Sequence, residues 1–156
     1  HRTRSKQAVV LLFAAITAAA CRNRGEQTVG PQPPTQLVPS FRSDVLPVLQ
    51  QNCATAEGCH GDKPTDSVRL DLRPQAAYAQ LVNAPAQARK GALRVAAGSP
   101  GSSFLLDKLS GTLGPREGKT MPVDPDTGAP FDRSPLPPDF VQKIFTPWIA
   151  GGAPNN

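Results

Sequence analysis

Aromatic side chains are scarce in this chain: six Phe, one Tyr and one Trp in 156 residues. With 18 prolines beside them, a helical core must be built thinly from Leu, Val, Ala and Phe and interrupted often. Histidine is scarcer still, with His60 alone beyond the first residue, and Met121 is the single methionine. Each shortage closes a chemistry. Two Cys and one His in the body of the chain fall short of the four ligands of a structural zinc site, and a blue-copper centre needs a second His. No nucleophile elbow, phosphate-cradling Gly-rich loop or His-Glu metal helix is present. Asp124, Asp126 and Asp132 lack the EF-hand spacing and its terminal Glu, and read as turn residues on a solvated surface. The net charge of +5 is concentrated where no acid opposes it, at Arg2, Arg4 and Lys6. Without residues 1–21 the balance falls to 14 basic against 12 acidic residues, with no basic run and no interleaved aromatic surface, so nucleic-acid binding is not expected.

A long hydrophobic run is also missing. The longest, Ala8 to Ala20, has thirteen residues, with Thr17 its one polar member. As a helix it would reach about 20 Å, short of the roughly 30 Å hydrocarbon core. Basic residues, a short apolar stretch and Ala18-Ala19-Ala20 before Cys21 form the three-part pattern of a secretory signal. A cysteine directly after small residues resembles the lipobox of bacterial lipoproteins, although Ala18 stands where that family usually has Leu. The resemblance implies a signal peptide over 1–21, a lipidated Cys21 as the mature amino terminus, and residence on the periplasmic side of a membrane or at the cell surface. Arg22, in place of the Asp that marks inner-membrane retention in such proteins, leans toward the outer membrane. Residues 22–38, with Pro31, Pro33 and Pro34 and no hydrophobic period, read as a flexible tether. About 118 residues, 39–156, remain for one domain.

Within that domain Phe41, Val45, Leu46 and Leu49 fall at helical spacing behind Ser40 or Ser43, predicting a helix over 41–52 that delivers Cys53 at its end. Pro47 would sit near its first turns, with a kink as one outcome. Val68, Leu70 and Leu72 alternate with polar residues and predict a short extended segment. Brief helices are expected over 76–81 and from Ser102 or Ser103 to Gly111. Residues 111–138 read as a long irregular loop, a kind that is usually functional or disordered. A final helix over 138–150 carries Phe140, Ile144 and Trp148 beside Val141, Phe145 and Ile149, and Pro147 predicts a kink or an early end.

The chemistry concentrates in Cys53-Ala-Thr-Ala-Glu-Gly-Cys59-His60. Covalent attachment of a c-type haem needs two thiols and an imidazole held close to the second, and His60 follows Cys59 directly. The usual motif has two residues between the cysteines; here there are five. The other reading of the same pair is a Cys53–Cys59 disulfide closing a seven-residue loop, worth about 2 kcal/mol by chain entropy. It leaves His60 without a role.

Over roughly residues 40–154 the order of elements resembles the class I cytochromes c, and most closely bacterial lipoprotein and planctomycete-type domains with enlarged cysteine spacing. The elements are Phe41-Arg-Ser-Asp-Val-Leu-Pro-Val-Leu, Cys59-His60-Gly61, Gly98-Ser-Pro with Ser103 and Lys108-Leu109 behind it, Met121-Pro122, and Trp148-Ile-Ala-Gly-Gly-Ala-Pro. The resemblance implies an all-α fold, a small cytochrome c-like domain wrapped around one haem c with long irregular loops. Cys53 and Cys59 would be the covalent attachment points, His60 and Met121 the axial iron ligands. Met121 lies 61 residues beyond His60 and just before the last helix, and Pro122 restricts it to an extended backbone. The implied function is electron transfer outside the cytoplasm, with redox proteins as partners, a membrane reached through the lipid anchor, and no substrate transformed. The alternative is a haem-free, disulfide-stapled surface domain with a binding role.

Overall fold

Ser40 lends its side chain to the helix that follows: its Oγ accepts the Ser43 N–H at 3.2 Å, and of the two candidate caps it is Ser40 that caps. The computed structural model describes residues 37–55, 59–61, 69–124, 127–129 and 136–156. The proposed signal, Cys21, nearly all of the tether, and Val68 lie outside the described residues. Those that are described fall within one unit, 36–156.

Among the described residues the chain is helical and forms no strand longer than a single bridge. The first helix opens with a π-helical turn, Phe41–Val45, and continues as α1, Leu46–Asn52, with Cys53 at its C-cap. Pro47 follows directly on this wide turn, at the second residue of α1. Leu46 N–H reaches back five residues to Phe41 O, an arrangement that loosens the backbone just ahead of the proline, whose ring would otherwise meet the carbonyl four residues earlier. The last helix repeats the device: α4, Pro138–Phe140, runs into a π turn, Val141–Phe145, then α5, Thr146–Ala150, with Thr146 N–H bonded to Val141 O. Pro147 therefore does not end it early, and helix continues to Ala150.

Two shorter helices complete the set, α2 at Ala77–Leu81 and α3 at Phe104–Ser110. Gly111, at φ 82°, closes α3 in the left-handed conformation that a glycine adopts without steric cost. Ser103 precedes α3 but does not cap it. Its buried hydroxyl instead accepts the Ala96 N–H at 2.9 Å and bonds Ser99 O at 3.0 Å, fastening the preceding loop.

The core lies where the first and last helices meet. Phe41, Val45 and Leu49 are buried with Phe145, Trp148 and Ile149, as the sequence periodicity requires. The Phe41 ring stands edge-on to Tyr78, with centroids 5.1 Å apart, and lies 5.5 Å from that of Trp148. The indole N–H donates to Pro154 O at 3.0 Å and the Tyr78 hydroxyl to Ala153 O at 2.8 Å. Asn156 then ties back to the first helix, its O accepting the Arg42 N–H at 2.9 Å and its Oδ1 the Phe41 N–H at 3.0 Å. Residues 111–124 are irregular, as expected. The extended segment around Leu70 pairs with no strand; its polar backbone groups are used elsewhere.

Candidate functional site

That backbone goes to His60. Leu72 N–H donates to His60 O at 2.8 Å, while the imidazole Nδ1 lies 3.0 Å from Leu70 O. A carbonyl only accepts, so Nδ1 carries the proton in this bond, and the lone pair of the neutral ring is on Nε2. Such a bond through the far nitrogen is how ligating imidazoles are oriented and made more basic. Burial pushes the His60 pKa below the ordinary imidazole value; the Leu70 bond opposes that shift, and the charges of Lys108 and Arg94 add to it. The ring is therefore neutral at neutral pH, the state that coordinates a metal.

Cys53 reaches the same place from the end of α1. Its N–H completes the last turn on Leu49 O at 2.8 Å, and its carbonyl accepts the His60 N–H at 2.9 Å, so the loop between the two cysteines returns to its own start. Both cysteines are free thiols, Cys53 buried and Cys59 partly so. Burial, with the nearby Cys59 adding to it, pushes the Cys53 thiol up to about 12, so it is protonated at neutral pH.

Cys53, Cys59, His60 and Met121 all line one cavity of about 360 Å³, within the size range of cofactor sites. Its wall is largely aliphatic and aromatic, with Leu49, Leu72, Leu81, Phe104 and Leu109 among the lining residues. Met121 comes to it on the strap that leaves α3 at Gly111: the Met121 N–H donates to Lys108 O at 2.9 Å, and the Met121–Pro122 peptide is cis. All four residues that the sequence assigned to a cofactor thus face one space, although 61 positions separate His60 from Met121. Among the described residues no three His, Cys, Asp or Glu side chains converge as a metal-binding group.

The sequence reading missed several participants. Leu70 was noted for its alternation, not as the carbonyl that orients His60. Arg94 and Lys108 also line the cavity, and desolvation lowers the pKa of each. The Arg94 guanidinium donates to Gln80 O at 2.6 Å, and Lys108 Nζ donates to Glu117 O at 2.7 Å and Lys119 O at 3.0 Å. Isolated basic residues in a chain with 17 of them carry no positional signal. Comparison of the chain with protein-family models, with curated proteins and with solved structures gave no match.

Proposed function

We propose that the protein is a mono-haem c-type cytochrome that carries single electrons outside the cytoplasm. The observation that carries this reading is the meeting of Cys53, Cys59, His60 and Met121 on one apolar cavity. A porphyrin needs an apolar enclosure, thiols for its vinyl groups and ligands for its iron, and the lining supplies each kind. The cations Arg94 and Lys108 match the anionic carboxylates of the macrocycle.

In this reading Cys53 and Cys59 hold the haem covalently, and His60, with Nδ1 kept on Leu70 O, offers Nε2 to the iron. Met121 offers its thioether. When bound, the haem supplies one-electron exchange at iron. With His60 and Met121 both committed to holding the iron, the chain would leave no position for a substrate, and a thioether would favour the reduced state and raise the potential. Leu49, Leu72, Leu81, Phe104 and Leu109 would place apolar surface against the macrocycle. The product is an electron carrier, serving redox proteins, rather than an independent enzyme. Residues 1–38 belong to the same proposal: export, lipid on Cys21, and a proline-bearing tether that holds the domain off a membrane surface.

The test is the absorbance spectrum, in both oxidation states, of protein produced with a working haem-maturation system. A c-type spectrum that survives acid extraction of the denatured protein supports the reading. Protein that matures without haem and contains a Cys53–Cys59 disulfide would replace it with the stapled binding domain. Met121→Ala is expected to keep haem covalently bound while losing the weak near-infrared sulfur-to-iron band.

A further inference from the structure

The strap that carries Met121 has no regular structure of its own, yet it is fastened to α3 by a chain of polar contacts. Arg89, on the loop between α2 and α3, is the hub. Its Nε and Nη2 donate to the two carboxylate oxygens of Glu117 at 2.6 and 2.7 Å, and Nη1 pairs with Asp107 on α3. Glu117 also accepts the Gly114 N–H at 2.8 Å, closing the strap's own turn. The Glu117 carbonyl receives Lys108 Nζ, and the Lys108 carbonyl receives the Met121 N–H. From below, the guanidinium rests on the Phe104 ring, 4.5 Å from its centroid, and Phe104 lines the cavity. A planar, two-pronged cation is the group suited to gripping two carboxylates and a ring face together. Gly118, at φ 82°, is required here: a Cβ would lie 3.0 Å from Lys108 Nζ.

We propose that Arg89 is a positioning residue for the axial ligand: by clamping Glu117 and Asp107 it holds the 111–121 strap closed and keeps the Met121 thioether in the cavity. This rests on the reading of Met121 as an iron ligand. An external ligand reaches the iron only when the strap releases Met121, so its apparent affinity is its intrinsic affinity scaled by the fraction of strap that is open. Removing the clamp increases that fraction without altering the iron, the haem attachment or His60.

The experiment is an imidazole titration of the oxidised, haem-loaded protein, followed by loss of the sulfur-to-iron band, for wild type, Arg89→Gln, Arg89→Lys and Glu117→Gln. Arg89→Gln and Glu117→Gln are each expected to lower the apparent imidazole dissociation constant about three- to fivefold, the upper range of a solvent-exposed charge pair. The double variant should add little, because each single change removes the same clamp. Arg89→Lys should recover only part of the effect, since an ammonium cannot grip both carboxylates. Ser103→Ala, whose side chain fastens a loop outside the cavity lining, is the control: it lowers overall stability but should leave imidazole affinity unchanged. A wild-type band with imidazole affinity unchanged within twofold in Arg89→Gln overturns the clamp alone. An equal increase in Ser103→Ala also overturns it, because general loosening would then be the cause. Absence of the band from wild type overturns the Met121 reading, and the clamp with it.

Discussion

Phe41 joins three segments distant in sequence, so its truncation offers a quantitative measure of how the first and last helices close the core. The side chain is 2% exposed and touches both Tyr78 and Trp148. Phe→Ala changes at buried sites cost about 3–5 kcal/mol, and the two ring contacts place this one in the upper half, about 4–5 kcal/mol. A domain of this size has a total stability of roughly 6–18 kcal/mol, so Phe41→Ala should leave a marginal fold. Phe41→Leu keeps most of the volume and loses the edge-on geometry, at about 1.5 kcal/mol. Leu37→Ala, at a side chain 89% exposed, should stay within about 0.5 kcal/mol. The assay is urea unfolding of the protein as it matures, followed by far-ultraviolet circular dichroism. The midpoint should fall with the denaturant slope unchanged. A loss below about 2 kcal/mol for Phe41→Ala, or equal losses for Phe41→Leu and Phe41→Ala, would refute the idea that the rings carry the closure.

Further outcomes follow from other contacts. Ser103→Ala leaves the Ala96 N–H without its acceptor, and the same unfolding assay should show a loss of about 1–3 kcal/mol. Gly111→Ala forces a Cβ at φ 82° to within 3.1 Å of Thr120 Oγ1 on the strap, which should cost about 1–2 kcal/mol. Glu117 is held at about 2 by the Arg89 fork and the Gly114 N–H, against 4.5 for a free carboxyl. A depressed folded value means that its stabilising contribution is complete above about pH 4.5 and is lost as pH falls toward about 2. Unfolding measured across that window should show a steeper pH dependence in wild type than in Glu117→Gln.

The helices were legible because apolar spacing reports burial directly: Phe41, Val45, Leu49, Phe145, Trp148 and Ile149 are all in the core. Pro147 does not end the last helix early, for a physical reason. Its clash concerns the carbonyl four residues back, and nothing in the letters signals that a wide turn has moved that carbonyl aside. The alternation around Leu70 suggested a strand because periodicity reports which side chains face inward, not which backbone groups pair. For the candidate site, Cys53, Cys59, His60 and Met121 stand out as rare residue types, but the roles proposed for them come from the resemblance to class I cytochromes c. Arg89, Arg94 and Lys108 do not stand out, since their roles depend on a fold that brings the 84–95 loop, α3 and the strap together.

The two wide turns have a geometric consequence. A turn closed by five-residue steps acts as an extra residue in an otherwise ordinary helix, and one residue of α-helix corresponds to about 100° of rotation. In the first helix this decouples two orientations that a uniform helix would fix together: the direction in which Ser40 and Phe41 meet Asn156, and the direction in which Leu49 and Cys53 meet the cavity. Deleting a single residue between Phe41 and Val45 would restore regular winding and keep the two faces in register, whereas closing the turn at its present length would rotate one face by about a quarter of a revolution against the other. Substitutions on either face are thus local in effect, whereas the wide turn itself sets the anchoring of the first helix against the presentation of the thiol.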